Sequence, residues 1–568
     1  MDRLNPASPA CTTRPRATTA AGAMAVVLLA LWTAGPAQAR VACPDPGAER
    51  TPLSELRAGQ VAEGNAVIVE GVATGVFMGP DQLDGFYLQQ GSGADATGLF
   101  VYAPRQDPVE AGQRLEVHGD FSRHRGRPQV SRLHRVENCG HAGLPDPIPL
   151  RLPEDADRLD EHRDLRVRLT QALTVTANHD LGRYGSLTLA AGGRLIHPGQ
   201  TGRPGTDRDA ARQIELDDGS YRANPDPIPY LDHQGTRRAG SRVEGLTGIL
   251  TRAFGEYRIH PTETIDWSGG ERPAPVPAPA AGHLRIATAN LENDFVTLGE
   301  RGAQTRAERD RQTAKLDALL QGLDADLLGA VELENAAAAR TKLVTRLNTR
   351  HSERGQYAAV AHPAPGDDAI KVGLLYRPER LRLIASAADR DDVHHRPPLL
   401  GWFAPTGTDE RFGAVVVHFK AKSGCPDAGD IDRGQGCWNE RRTAQAERLV
   451  EWLREQRRGE YADTPMLILG DLNAYATEDP IRTLTAAGKR DLVHDNPARA
   501  HTYVFRGQAG QLDYLLGPES LRVRVTDGAT WPVNADEPRF LGFDGRAPAE
   551  GPWRASDHDP VWADLRLD

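Results

Sequence analysis

A chain of 568 residues is too long for one hydrophobic core and implies about three or four domains. Its 39% hydrophobic and 26% charged side chains are those of an ordinary globular protein. A formal net charge of -10 argues against a protein built to hold polyanionic nucleic acid permanently, because phosphate neutralisation supplies most of that affinity; it argues less against an enzyme that releases its product.

At the N-terminus Arg3, Arg14 and Arg16 precede an apolar run over residues 23–32, and Ala37-Gln38-Ala39 has the small-x-small pattern of a signal peptidase site. This predicts a signal peptide over residues 1–39 and a secreted product, extracellular or periplasmic. The apolar run is short for a membrane anchor, and no later segment is longer and as apolar, so no stable membrane association is expected.

Residues 40–150 read as a small all-β domain. Short runs such as Ala66-Val67-Ile68-Val69, Phe86-Tyr87-Leu88 and Leu99-Phe100-Val101-Tyr102 alternate with Gly, Pro and Asp turns, which fits an OB-like barrel. Its aromatic residues Phe77, Phe86, Tyr87, Phe100 and Tyr102 suit a core better than base stacking, since no basic stripe accompanies them. Residues 151–268 predict a second β-rich, OB-like domain. The segment from Glu70 to Phe77 is echoed from Glu244 to Leu250, as a divergent repeat would be. Over residues 269–282 proline alternates with small side chains, the composition of a stiff extended spacer.

Residues 283–568 change texture to alternating strands and helices, an α+β class with sheets covered by helices. Strands are expected at residues 284–289, 327–331, 414–417, 466–469 and 561–565. Leu316, Leu319, Leu320 and Leu323 mark a helix from about residue 307 to 320, with Gly322 as its stop signal; Ala446, Leu449, Val450 and Leu453 mark another. Polar residues recur where the strands end: Asn290, Glu332, His418, Asp471 with Asn473, then Asp513, then Asp557 with His558. Strand ends are where a rigid sheet delivers distant segments into one pocket. Carboxylates and carboxamides suit Mg2+ or Mn2+ better than zinc, and two histidines titrate near neutral pH. Each residue alone has a plainer explanation, as a turn, a solvated strand end or a structural histidine. The ordered set does not.

The cysteines left after the signal, Cys43, Cys139, Cys425 and Cys437, allow three pairings. The domain boundaries favour Cys43–Cys139 and Cys425–Cys437 in an oxidising compartment. Asp427, Asp430 and Asp432, between the second pair, could hold a structural Ca2+, but they lack the EF-hand pattern, so a solvated loop closed by a disulfide is the favoured reading.

The motifs TANLEN, VELEN, DDAIKVGLLYRP, VVVHFKAK, LILGDLN, QLDYLL and SDHDPVWADL, in that order, resemble the DNase I-like endonuclease/exonuclease/phosphatase superfamily. The closer likeness is to secreted bacterial nucleases of the ExeM/NucH type, which join OB-like domains to this catalytic domain and carry a cysteine-bracketed insert. The resemblance implies a four-layered α/β/β/α sandwich and a metal-dependent endonuclease or phosphodiesterase. It assigns the cation to Glu332 with Asn290 and Asp557. His558, oriented by Asp513, would be the base or electrostatic partner, Asp471 and Asn473 would position water or phosphate, and His418 would be the acid for the leaving group. DNA is the implied substrate, with RNA a second one and no obligate protein partner. Two rivals stay open: a phosphodiesterase of the same fold acting on phospholipid or inositol phosphate, and a non-catalytic DNA-binding matrix protein.

Overall fold

In the computed structural model the described residues are 47 and 49–567, apart from 204, 206 and 350–353. The predicted signal segment and Cys43 lie outside them. Five strands, Ala66–Phe77, Gly85–Gln90, Thr97–Tyr102, Gln113–His124 and Arg127–His141, close into a barrel. Alternation along them turns Val67, Val69, Leu88, Val101 and Val117 into its core. Phe86 joins that core, whereas Phe77, Tyr87 and Phe100 are buried outside it against Ile249, with Tyr102 packed beside them. Arg127 lies over the Tyr87 and Phe100 rings, 4.9 and 4.4 Å from their centroids. These aromatics join the barrel to the unit that follows.

That unit is a sheet of nine strands running in space from Trp267–Ser268 at one end to Ile148–Leu150 at the other. Its strand order differs from the five-stranded closure of the barrel. The two echoed segments fall on the strands Ala66–Phe77 and Leu246–Ala253, and they meet: a Cβ on Gly75 would lie 2.5 Å from Ile249 Cγ1. Residues 269–282 form neither helix nor, past Ser268, strand, as alternating proline dictates. They are nonetheless fastened. Arg272 pairs with Glu537 at 2.9 Å and lies over the Trp553 ring, and Trp531 Nε1 donates to Ala274 O at 3.1 Å.

The C-terminal half holds two six-stranded mixed sheets. One contains His283–Asp294, Leu327–Glu334 and Val561–Arg566; the other contains Phe412–His418, Met466–Asp471 and Asp513–Gly517. In each sheet the two central strands are parallel, so their C-terminal ends emerge at one edge. Leu284, Ile286, Val416, Leu467 and Leu469 share the core that both sheets bury. Ala287, Ala289 and Leu291 face the other way, packed with residues of the helices Arg306–Leu323 and Ala337–Asn348. Val415, Val417 and Ile468 pack likewise with Asn439–Gln456 and Asp479–Ala486. Every strand expected from the sequence of this half is present, each extended by a few residues.

One expectation fails. Gly322 does not stop its helix, which runs from Arg306 to Leu323 and ends at Asp324 in the left-handed conformation (φ 48°). Glycine is needed there for room: a Cβ on Gly322 would stand 2.5 Å from the Trp531 ring. The start is set by a capping box of Thr305 and Glu308.

Leu469 is fully buried between the two sheets, where Gly329 leaves space for its side chain. Leu469→Ala should therefore cost about 2–5 kcal/mol, seen as a lowered urea midpoint for the transition of this half.

Candidate active site

The edge at which the parallel strands end gathers the predicted polar residues. Asn290 and Glu332 sit at interruptions of strand register, between Asn290 and Asp294 in one strand and between Ala330 and Leu333 in the next. Such bulges re-aim side chains out of the pleat. Glu332 takes φ 63°, a conformation costly for a non-glycine residue and typical of positions the surroundings over-determine. Its carboxylate accepts from the Asn293 amide at 3.0 Å.

Gly470, before Asp471, has φ 133°, and a Cβ there would lie 2.0 Å from Val417 O. Only glycine lets the two parallel strands stay paired up to Asp471. Asp471 Oδ1 accepts from the Asn473 amide at 2.8 Å, closing a tight turn in which Asn473 is left-handed (φ 48°). The Asn473 carboxamide donates to Phe419 O at 3.2 Å, and His418 Nε2 lies 3.5 Å from Asp471 Oδ2.

Asp513 opens the strand beside Asp471, opposite it in register. Its Oδ2 lies 2.7 Å from His558 Nδ1 and accepts from the Thr502 hydroxyl at 2.7 Å. The Tyr503 ring covers the imidazole, with centroids 4.7 Å apart. Behind His558, Asn534 Nδ2 donates to His558 O at 2.6 Å, and Asp559 accepts from the Asn534 and Ala535 amides at 2.7 and 3.1 Å. Asp559 is thus a fully buried brace, in keeping with a turn. Asp471, Asp513 and His558 offer polar atoms that all lie within 4.8 Å of one another.

Charge is concentrated here. Burial lifts the Asp471 carboxyl to about 7; His558 opposes the rise, and Asp513 and Glu332 add to it. Burial and then Asp557 raise Glu332, while His558 and Asn290 oppose. Glu292 is pushed to about 8 by burial and by Asp557, against the pull of Arg554. Burial alone would lower His558, but Asp513, Asp557 and Asp471 carry it well above the ordinary imidazole range. His418 moves oppositely, held well below that range by burial, Arg396 and His558.

All eight predicted residues therefore come to one neighbourhood, Asp557 through its field on Glu332 and His558. Three further residues were not singled out from the sequence. Glu292 sits inside TANLEN, two residues past Asn290, where nothing in the local pattern separates it from a solvated acid. Tyr503 lies in a short hairpin with no polar signature. Arg396 is buried, donates to Phe419 O and acts on Asp471 and Glu332. In a sequence its loop carries no periodicity to flag it.

Cys425 and Cys437 are joined by a disulfide. Cys139 is buried and disulfide-bonded, while its predicted partner Cys43 lies outside the described residues. Within the Cys425–Cys437 loop, Asp430 accepts from the Glu440 and Arg441 amides at 3.0 and 2.9 Å, and Asp432 from Gly434 and Gly436 at 2.8 and 2.9 Å. Two of the three acids weighed as Ca2+ ligands are thus occupied in shaping the loop, in keeping with a loop closed by a disulfide.

Residues 287–558 match the model of the Endonuclease/Exonuclease/phosphatase family. Over that segment the C-terminal half is similar to the endonuclease/exonuclease/phosphatase superfamily. Members of this superfamily are hydrolases acting on phosphoester bonds. Among solved structures, the human Nocturnin catalytic domain with bound sulfate is 16% identical, with 50% of this chain and 95% of that one covered and a TM-score of 0.35. An endonuclease/exonuclease/phosphatase from Bacteroides vulgatus is 16% identical, covering 50% and 99%, TM-score 0.35. D. rerio TDP2 complexed with single-strand DNA product is 13% identical, covering 50% and 99%, TM-score 0.33. No curated protein matches the chain.

Superfamily enzymes use divalent metals, and the residues present fit one. Asn290, Glu292, Glu332 and Asp557 supply hard oxygen donors, and the carboxyls of Glu292 and Glu332 are raised by one another's neighbours in a way that a cation would relieve. Asn290 Oδ1 accepts from the Glu292 amide at 2.8 Å, which holds the carboxamide beside these carboxyls.

Because His558 is raised in the folded state, its stabilising contribution is fully present below about 6.5, the unperturbed value, and is lost as pH rises through the raised one. Asp513→Asn removes the largest raising influence. Imidazole NMR titration of the metal-free protein should then show the His558 pKa falling by at least about one unit.

Proposed function

We propose that the chain is an exported, metal-dependent phosphodiesterase that cleaves DNA, with Mg2+ or Mn2+ as its cation. The observation that supports it most is the His558–Asp513 pair, 2.7 Å apart and within 4.8 Å of Asp471, set beside Glu332 and Asp557. In this proposal Glu332, Asn290 and Asp557 hold the cation. When bound, it would neutralise phosphate charge and polarise a phosphoryl oxygen.

The electrostatics distribute the remaining work. His558, kept protonated near neutral pH by the carboxylates around it, carries a positive charge toward the phosphate oxygens and holds the proton that the leaving oxygen takes up. Asp471, lifted to about 7, is placed to take the proton of the attacking water, and Asn473 holds the turn that aims it. His418 is a different matter. A histidine held neutral by burial is a poor acid, so in place of the leaving-group role implied by the resemblance we assign it to orienting Asp471. Arg396 adds a second buried positive charge facing Asp471 and Glu332.

The choice of DNA, with RNA as a second substrate, rests on the motif order and on the ExeM/NucH-like plan of barrel, β unit and cysteine-closed insert. Export rests on the N-terminal pattern, and the Cys425–Cys437 disulfide suits an oxidising compartment. No helix of the described residues is long and apolar enough to cross a membrane.

Incubation with circular and linear DNA tests the proposal. The mature protein should nick circles in Mg2+ or Mn2+, and a chelator should stop it. His558→Ala and Asp471→Ala should each lower the rate about 10²- to 10⁴-fold with the fold retained by circular dichroism. Retained DNA that is never cut would make it a binding protein, and faster release of phosphate from inositol phosphate, or of phosphocholine from sphingomyelin, would replace DNA as substrate.

A further inference from the structure

The β unit before the proline-rich stretch does more than precede the catalytic half. Its strand Leu195–Ile196 runs parallel to Gln508–Gly510, forming a small three-stranded sheet with Tyr503–Phe505. His197 N continues the pairing by donating to Ala509 O at 2.9 Å. The chain then turns through the short helix Pro198–Thr201 directly against the loop that follows Asn473. There the His197 ring stacks on Tyr475, centroids 3.8 Å apart, and the Thr477 amide and hydroxyl both donate to Gly199 O, at 2.9 and 2.8 Å.

At the centre of this contact is Gln200, fully buried. Its Oε1 accepts from the Gln511 amide at 3.0 Å and from the Ala476 amide at 3.4 Å, while its Nε2 donates to Pro497 O at 2.9 Å. Ala476 lies three residues after Asn473, and Gln511 two before Asp513. One carboxamide from a different unit therefore ties together the two loops that carry Asp471, Asn473 and Asp513. We propose that Gln200 is a positioning residue of the catalytic centre, and that the β unit completes the active site of the half that follows it. Buried amides left without an acceptor would let both loops relax, and a displacement near 1 Å at reacting groups is enough to slow chemistry.

The catalytic part of this inference rests on the phosphodiesterase proposal; the structural part does not. The test uses the full chain, with bis(4-nitrophenyl) phosphate and Mg2+ as probe and hydrogen–deuterium exchange as a second readout. Gln200→Leu keeps the volume and removes the polar bridge. It should speed exchange in residues 474–478 and 502–513 together, leave the barrel strands unchanged, and lower kcat about 10- to 100-fold with KM within about twofold. Gln200→Glu, whose protonated carboxyl both accepts and donates, should recover most of the kcat that the wild-type protein shows at the same acid pH. Exchange and kcat both at wild-type values in Gln200→Leu, or faster exchange with kcat unchanged, overturns the proposal. Should Gln200→Leu not fold, Thr477→Val removes only one bond to Gly199. It should speed exchange at 474–478 and lower kcat about two- to tenfold, and no change in either overturns the proposal. A wild-type protein inert toward the probe would defeat the phosphodiesterase proposal, and exchange in the two segments would then decide the role of Gln200 alone.

Discussion

The bond between His558 and Asp513 is the constraint on which the rest of the centre depends, because its two ends belong to different sheets. Asp513 opens a strand of one sheet, and His558 lies three residues before the last strand of the other. A separation of 2.7 Å is therefore a direct measure of how the two sheets are packed. Both groups are buried, and a buried charge without its partner is far costlier than the pair. Thr502 holds the same Asp513 oxygen, and the Asn534 loop holds the carbonyl behind His558, so neither partner has room to drift.

Around that pair the fold gathers like charges rather than separating them. Glu292, Glu332 and Asp557 repel one another, and Asp471 is crowded by Asp513 and Glu332. The backbone carries further cost, with positive φ at Glu292, Asn293, Glu332 and Asn473. Strain and repulsion of this kind cluster at functional sites. The two hydrophobic layers outside the sheets, and the core between them, are what hold such a centre together.

Much of this was legible in the chain because it is local. Apolar runs such as Val415-Val416-Val417 and Leu467-Ile468-Leu469 mark buried strands, and the polar residue that ends each run falls at the sheet edge. Periodicity also placed the leucine stripe of the helix Arg306–Leu323. What stayed hidden depends on contacts far apart in sequence. Gly322 reads as a stop, and only the distant Trp531 shows that it is there for space. Arg396 and Gln200 lie in loops whose partners are remote, and a lone glutamine carries no pattern. The stretch of residues 269–282 reads as an extended spacer and forms no helix, yet its composition says nothing of Glu537, to which Arg272 is tied. Pairing order within the nine-stranded unit is likewise a property of long-range register, which the echo between Glu70 and Glu244 segments does not determine.

The same distant contacts explain why the preceding unit is joined by charge as well as by the burial of Phe540 and Leu541 in its core. Asp536, two residues past Asn534 and buried, receives both forks of Arg194 at 2.7 Å, and Glu537 beside it meets Arg238, Arg272 and the Thr236 hydroxyl. Burial works against the Asp536 carboxylate, but Arg194 and His501 hold its pKa well below the usual range. A depressed carboxyl contributes stability that is present above its unfolded value, near 3.9, and is lost only as pH falls through the folded one. The loop behind His558 is thus anchored throughout the neutral range, whereas the contribution of His558 itself fades only above its raised value. Between those limits both supports act together, and the C-terminal half is held in register by contacts that the apolar burial of Phe540 and Leu541 alone could not align: two forked guanidinium pairs and a buried carboxamide accept only one geometry.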